Sequence, residues 1–376
     1  MRLKIICFCL TLISTTACFE NNAYEEILKG PAIYNAALKQ LTDVIVHDIF
    51  SPPVASRVYA YPNIAAYEII SQAYPEDFIS LSGQLTDLTT IPKNEDPLVN
   101  MHLAALHAFF KVGTDLIFSE EKMHEFQNQT YQALKVDGLS RRVLKSSMSY
   151  GDRVASHILK WADGDHYKET RTDFKYSIRS QPQYWKPTPP DYMEGIEPHW
   201  NKIRTMVLDS AQQYIPKPPL LFSMDENSLF FKELIEVYSI GGQVENQGED
   251  IAKFWDCNPY VSHHRGHAIF ATKKITPGGH WMEISSIATS QVGFTYAETI
   301  HAHARVAISL FDAFISCWDE KWRSVVVRPE TLINEYIDED WVPLLQTPPF
   351  PEYTSGHSVI SRAAALTLTK LLGNDF

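Results

Sequence analysis

Apolar residues recur at helical spacing along most of this chain. Between Pro31 and Phe50, Ile33, Ala37, Leu41, Val44 and Ile45 share one face, and Ser51-Pro52-Pro53 ends the pattern. Val54 to Ala73 resumes it, with Pro62 marking a kink. Asn100 to Phe118, Ser119 to Val136 and Ser140 to Ala162 follow, with Ser119 and Ser140 placed as N-caps. Asn227 to Ser239 and Gln247 to Trp255 read as shorter helices, and Val359 to Leu372 as the last. Strand-like alternation is scarce, so the expected fold class is all-α, a helical bundle.

The longest periodic stretch runs from Phe294 to Trp322. Its stripe is Ile300, Ala304, Ala307, Ile308, Phe311, Ile315 and Trp318, and Lys321 lies one turn further on the same side. A lone ammonium facing a core is costly unless an anion meets it. The alternative is a lysine that snorkels to the surface. His301, His303 and Asp312 on this helix read as solvated or hydrogen-bonded residues.

Asp163 to Leu221 breaks the pattern with eight prolines between Pro182 and Pro219, interleaved with tyrosines and Trp185. Such a stretch is a functional loop or a linker. It is expected to wrap the bundle and help wall a pocket. Asp163-Gly164-Asp165 lacks the other ligands of a calcium loop and reads as a solvated turn.

Composition narrows the functions. The chain has 376 residues, 45% of them hydrophobic, enough for a large core. A net charge of −12 excludes a nucleic-acid binder with a basic stripe. Arg2 and Lys4, then Ile5 to Ile13, then Thr15-Thr16-Ala17-Cys18 form a signal segment over residues 1–18. The cysteine after small residues resembles a bacterial lipoprotein signal with Cys18 as the lipidation site. The expected location is then periplasmic or outer-membrane, with membrane attachment through the lipid alone. Residues 19–250 form a helical N-terminal region and 251–376 a C-terminal one.

Metal chemistry has little support. His263 and His267 are four apart, but Pro259 and Gly266 argue against a helix there and no glutamate completes a zinc motif. Cys257 and Cys317, the cysteines left beyond Cys18, belong to no CxxC pair and are expected as buried free thiols, with a disulfide between them in an oxidising compartment as the alternative.

Two short motifs carry the candidate chemistry. Pro349 to Ser358 delivers Ser355-Gly356-His357 onto the first turn of the last helix, where free N–H groups and the helix dipole favour an anion. Ser-Gly-His alone is commonly an ordinary helix entry. Upstream, however, stand Lys321, six residues, and Arg328-Pro329. Two cations and a Gly-hinged helix start make a cage for a tetrahedral or trigonal-bipyramidal oxyanion.

In this order and spacing the two motifs resemble the vanadium-dependent haloperoxidase and type-2 phosphatidic acid phosphatase (PAP2) superfamily, with Thr354 in place of the usual proline. The resemblance implies that Lys321, Arg328, Ser355 and the Gly356 N–H hold vanadate, with His357 as the catalytic acid–base group. Halide would be oxidised by hydrogen peroxide. With phosphate at the same site, the alternative is a secreted phosphomonoesterase. A third reading is a non-catalytic surface lipoprotein that binds a partner through its Trp- and Tyr-rich loops. The family's third motif, Ser-Arg, four residues, His, has no counterpart: Thr367 follows Ser361-Arg362 and Pro62 follows Ser56-Arg57 at the histidine position. The bundle is therefore expected to be C-terminally incomplete, its activity impaired and an apolar face of the last helix exposed.

Overall fold

The structure, a computed structural model, describes residues 22–241, 246–265, 268–271 and 273–373. The signal segment, Cys18 and His267 lie outside them. Thirteen α-helices are present among the described residues: α1 Ala23–Ile27, α2 Ala32–His47, α3 Pro52–Ala73, α4 Met101–Asp115, α5 Glu120–Val136, α6 Arg141–Ala162, α7 Tyr167–Thr170, α8 Leu229–Gly241, α9 Asn246–Phe254, α10 Pro277–Val292, α11 Tyr296–Ser324, α12 Pro329–Tyr336 and α13 Gly356–Leu372. The fold is all-α, with one antiparallel hairpin, β1 Ser262–Arg265 and β2 Ala268–Ala271. His263, where Pro259 and Gly266 argue against a helix, stands in β1. No described helix is long and apolar enough to cross a membrane.

Helix α3 is the axis of the bundle. Ser51 accepts from the Val54 N–H, and Pro52 and Pro53 occupy the first turn, where a missing N–H costs nothing. The prolines that end the preceding pattern thus begin this helix. Every residue from Pro52 to Ser71 is buried, and the helix continues through Pro62 without a break. Around it pack α4, α6, α10 and α11. Gly151 on α6 permits one close approach, since a Cβ there would sit 2.8 Å from the Ala104 carbonyl oxygen of α4.

Helix α11 spans 29 residues and opens on a capping box, Thr295 with Glu298. It packs on α3, α10 and α13, so one hydrophobic core runs from Tyr24 to Leu368 across the line drawn between residues 250 and 251. A smaller cluster, Leu234, Val327, Leu332 and Ile333, joins α8 to α12. Four helices went unread in the sequence: α10, whose start is masked by Gly278-Gly279 but capped by Thr276, and the short α1, α7 and α12.

The proline-rich stretch does wrap the bundle, buttressing it by main-chain bonds. The Trp185 N–H donates to the Val325 oxygen at 2.9 Å and the Ile196 N–H to the Pro349 oxygen at 3.0 Å. Asp165 is not solvated as expected. It is fully buried, paired at 2.6 Å with Nε of Arg57 and bonded at 2.8 Å by the Tyr61 hydroxyl. The outward row of α13 is Ser358, Arg362, Leu366 and Lys370. The exposed apolar face expected there is thus reduced to Leu366, while Ile360, Ala364 and Leu368 point inward.

Candidate active site

Chain geometry draws the two motifs together. Helix α11 ends as Val325 takes a left-handed conformation, φ 52°, and the chain turns so that Arg328 caps α12 with Pro329 at its first position. The later strand of loop comes back alongside, with the Glu352 N–H donating to the Val326 oxygen at 3.0 Å. Three residues further on, Ser355 caps α13 by accepting from the Ser358 N–H at 3.2 Å. One cavity of about 290 Å³ is lined by Lys321, Arg328, Ser355, Gly356 and His357 together, with Trp255, Phe314, Trp318, Phe350 and Glu352 among its other walls. No residue of the 163–221 stretch is among them; it braces the cavity from behind.

Lys321 is 1% exposed, the buried position that the stripe on α11 implies. Its Nζ donates to the main-chain oxygens of Pro351 at 2.9 Å and Glu352 at 3.1 Å, and sits 4.9 Å from the centre of the Phe350 ring. No ion pair with a carboxylate is formed by it among the described residues. Desolvation, and then the neighbouring charge of Arg328, push its pKa down to about 8.

Arg328 is almost as deep. Nε donates to the Phe350 oxygen at 2.6 Å, Nη1 meets Glu352 at 2.7 Å, and the guanidinium lies 4.8 Å over the Phe350 ring. Its Nη2 is buried with no partner among the described residues, a cost of roughly 1–3 kcal/mol or more for a charged donor. A buried ammonium without a counter-ion and a guanidinium with an idle N–H both face the cavity that ends on the α13 N-terminus. This donor set suits an oxyanion.

Gly356 is not dictated by packing: a Cβ would find only the Trp318 ring edge, at 4.0 Å. His357 reaches solvent, and its Nε2 lies 3.0 Å from the Trp255 main-chain oxygen. When neutral it thereby keeps its proton on Nε2 and leaves Nδ1 as the accepting nitrogen. Desolvation at the cavity wall lowers its pKa, with the Lys321 charge acting in the same direction.

Other candidates fall into place as structural. His303 is buried, with Nδ1 on the Thr299 oxygen at 2.7 Å and Nε2 beside the Ser286 hydroxyl at 3.0 Å. Asp312 accepts from the N–H groups of Met206, Val207 and Leu208. Cys257 and Cys317 are buried free thiols, and no described group of side chains could hold a metal ion. The sequence reading missed Glu352 and the Trp255 carbonyl. Glu352 sits inside a quoted motif and was findable by charge. A main-chain oxygen 102 positions from His357 leaves no trace in side-chain patterns.

Known proteins resemble this chain. A family profile described as the VCPO second helical-bundle domain matches residues 301–376. No curated protein matches by sequence. A solved bacterial vanadium-dependent iodoperoxidase is 47% identical, with a TM-score of 0.86, covering 92% of this chain and 82% of that one. Holo and apo forms of a bacterial vanadium-dependent chloroperoxidase share the fold at 16% identity. Their TM-scores are 0.61 and 0.58, covering 86% of this chain and 77% and 78% of theirs. With identity at that first level over most of both chains, this chain belongs to the vanadium-dependent haloperoxidase family.

Proposed function

We propose that this chain holds vanadate in the cavity between α11, α12 and α13 and oxidises iodide with hydrogen peroxide there. The observation that carries this reading is the buried Lys321 ammonium, lacking a carboxylate partner, beside the unpartnered Nη2 of Arg328. Those groups fit an oxyanion, and Lys321, Arg328, Ser355 and the Gly356 N–H would hold its oxygens. Bound vanadate supplies Lewis-acid activation of peroxide. Lys321 and Arg328 offset the negative charge, each worth on the order of 3 kcal/mol in a preorganised site. His357 moves a proton, with Nδ1 as the accepting atom while Nε2 is tied to the Trp255 oxygen. Trp318, Phe314 and Phe350 keep the walls dry and so strengthen these interactions. Iodide is the halide of choice because the 47%-identical relative is an iodoperoxidase.

The test is triiodide formation after vanadate loading, compared with hydrolysis of a generic phosphomonoester. Strictly vanadate-dependent iodide oxidation that falls to background in His357→Ala supports the reading. Ester hydrolysis without iodide oxidation would replace it with the phosphatase alternative.

A further inference from the structure

One carboxylate reaches into the pair of cations. Glu352 lines the cavity with Oε2 at 2.7 Å from Nη1 of Arg328, and its side chain is 43% exposed. We propose that Glu352 is a charge-selecting residue, which biases the cavity toward singly charged vanadate and against doubly charged phosphate and phosphate esters. The inference rests on the reading of this cavity as a vanadate site.

Three observations support it. First, Glu352 is not needed to hold Arg328. The Phe350 oxygen fixes Nε at 2.6 Å and the Phe350 ring supports the guanidinium plane, so the carboxylate adds charge rather than position.

Second, it is the acid whose charge the ligand must face. Asp256, also on the cavity wall, is ion-paired with Lys274, which is not among the lining residues. Glu330 stands near Arg328 but off the cavity wall, and its burial favours the neutral acid. Glu352 instead shares its cation with any bound anion.

Third, the carboxylate cannot leave with its backbone. The Glu352 N–H is bonded to the Val326 oxygen at 3.0 Å, and its own oxygen accepts from Lys321 at 3.1 Å. Only the side chain is free to rotate.

The charge balance follows. Lys321 and Arg328 bring two positive charges and Glu352 removes one, which leaves a single formal charge for the ligand to neutralise. Just above neutrality orthovanadate is mainly a monoanion, whereas orthophosphate is mainly a dianion, as are phosphate monoesters, whose second pKa is about 6. Repulsion from a fixed carboxylate is twice as large for a dianion as for a monoanion at the same distance. Glu352 thus lowers both affinities, and that for phosphate more.

Equilibrium dialysis of vanadate and of inorganic phosphate, at one pH just above neutrality, tests this on the wild-type chain, Glu352→Gln and Glu352→Asp. The glutamine variant should tighten phosphate binding about tenfold more than vanadate binding, and the aspartate variant should keep the wild-type ratio. If Glu352→Gln does not fold, Glu352→Ala is read by the same ratio. An unchanged ratio, or weaker binding of both anions, overturns the charge-selecting role. A wild-type chain that binds neither anion overturns the vanadate reading itself, and this inference with it.

Discussion

Nζ of Lys321 donates to the main-chain oxygen of Pro351 at 2.9 Å, a contact between residues 30 positions apart. It fastens the end of α11 to the loop that presents Ser355-Gly356-His357. It also leaves a buried positive charge among carbonyls and rings, met by no carboxylate.

Replacing that lysine separates binding from stability. In Lys321→Met an apolar chain of similar length takes the space between Trp318 and Phe350, and the cost of burying an uncompensated ammonium disappears. The melting temperature should stay within a few degrees of wild type. Vanadate at about 100-fold above its Kd stabilises a binding-competent protein by roughly 2.7 kcal/mol. That upward shift in melting temperature should appear in the wild type and vanish in the variant. Scanning calorimetry with and without vanadate measures both.

The same lysine sets a pH dependence. Its pKa in the fold is pushed down to about 8, below the ordinary 10.5, by desolvation first and Arg328 second. The unfolded chain therefore holds more protons than the folded one between those values, and the fold gains stability as pH rises through that window. Oxyanion binding needs the charged ammonium, so its pH dependence runs the opposite way. NMR of ¹⁵N-labelled lysine, assigned by comparison with Lys321→Met, should show a midpoint near 8 that moves upward when vanadate is added. A midpoint at the ordinary lysine value would contradict the buried, unpaired placement.

Far from the cavity, the pair between Arg57 and Asp165 ties α3 to the start of the proline-rich stretch. Arg57→Met would strand a fully buried carboxylate, a loss of roughly 3–5 kcal/mol. Urea unfolding of the variant should show that decrease. The double variant Arg57→Met with Asp165→Asn should recover part of it, because the stranded charge is then gone.

Much of the cavity was legible in the sequence because its motifs are local and chemical. The stripe on α11 put Lys321 on the buried side, and the Arg328-Pro329 and Ser-Gly-His spacings marked two turns that face one space. The all-α class followed from the 3.6-residue period. What stayed hidden depends on partners distant along the chain. Asp163-Gly164-Asp165 looks like a solvated turn until Arg57, 108 positions away, arrives as its counter-ion. Helix α10 opens on two glycines, which weaken the helical signal although Gly279 is required by the approach of Tyr59, whose hydroxyl a Cβ would meet at 2.7 Å. The hairpin of β1 and β2 consists of two four-residue strands, too short for alternation to register.

The central claim is that Lys321, Arg328 and the N-terminus of α13 form a vanadate-binding cage. Titration of the protein with vanadate, followed by ⁵¹V NMR, tests it most directly when wild type is compared with Arg328→Ala. The account predicts saturable binding near one vanadate per chain, weakened about 100-fold or more by the loss of a charge-assisted donor worth on the order of 3 kcal/mol. Absence of binding by the wild type, or equal binding by Arg328→Ala, would contradict it.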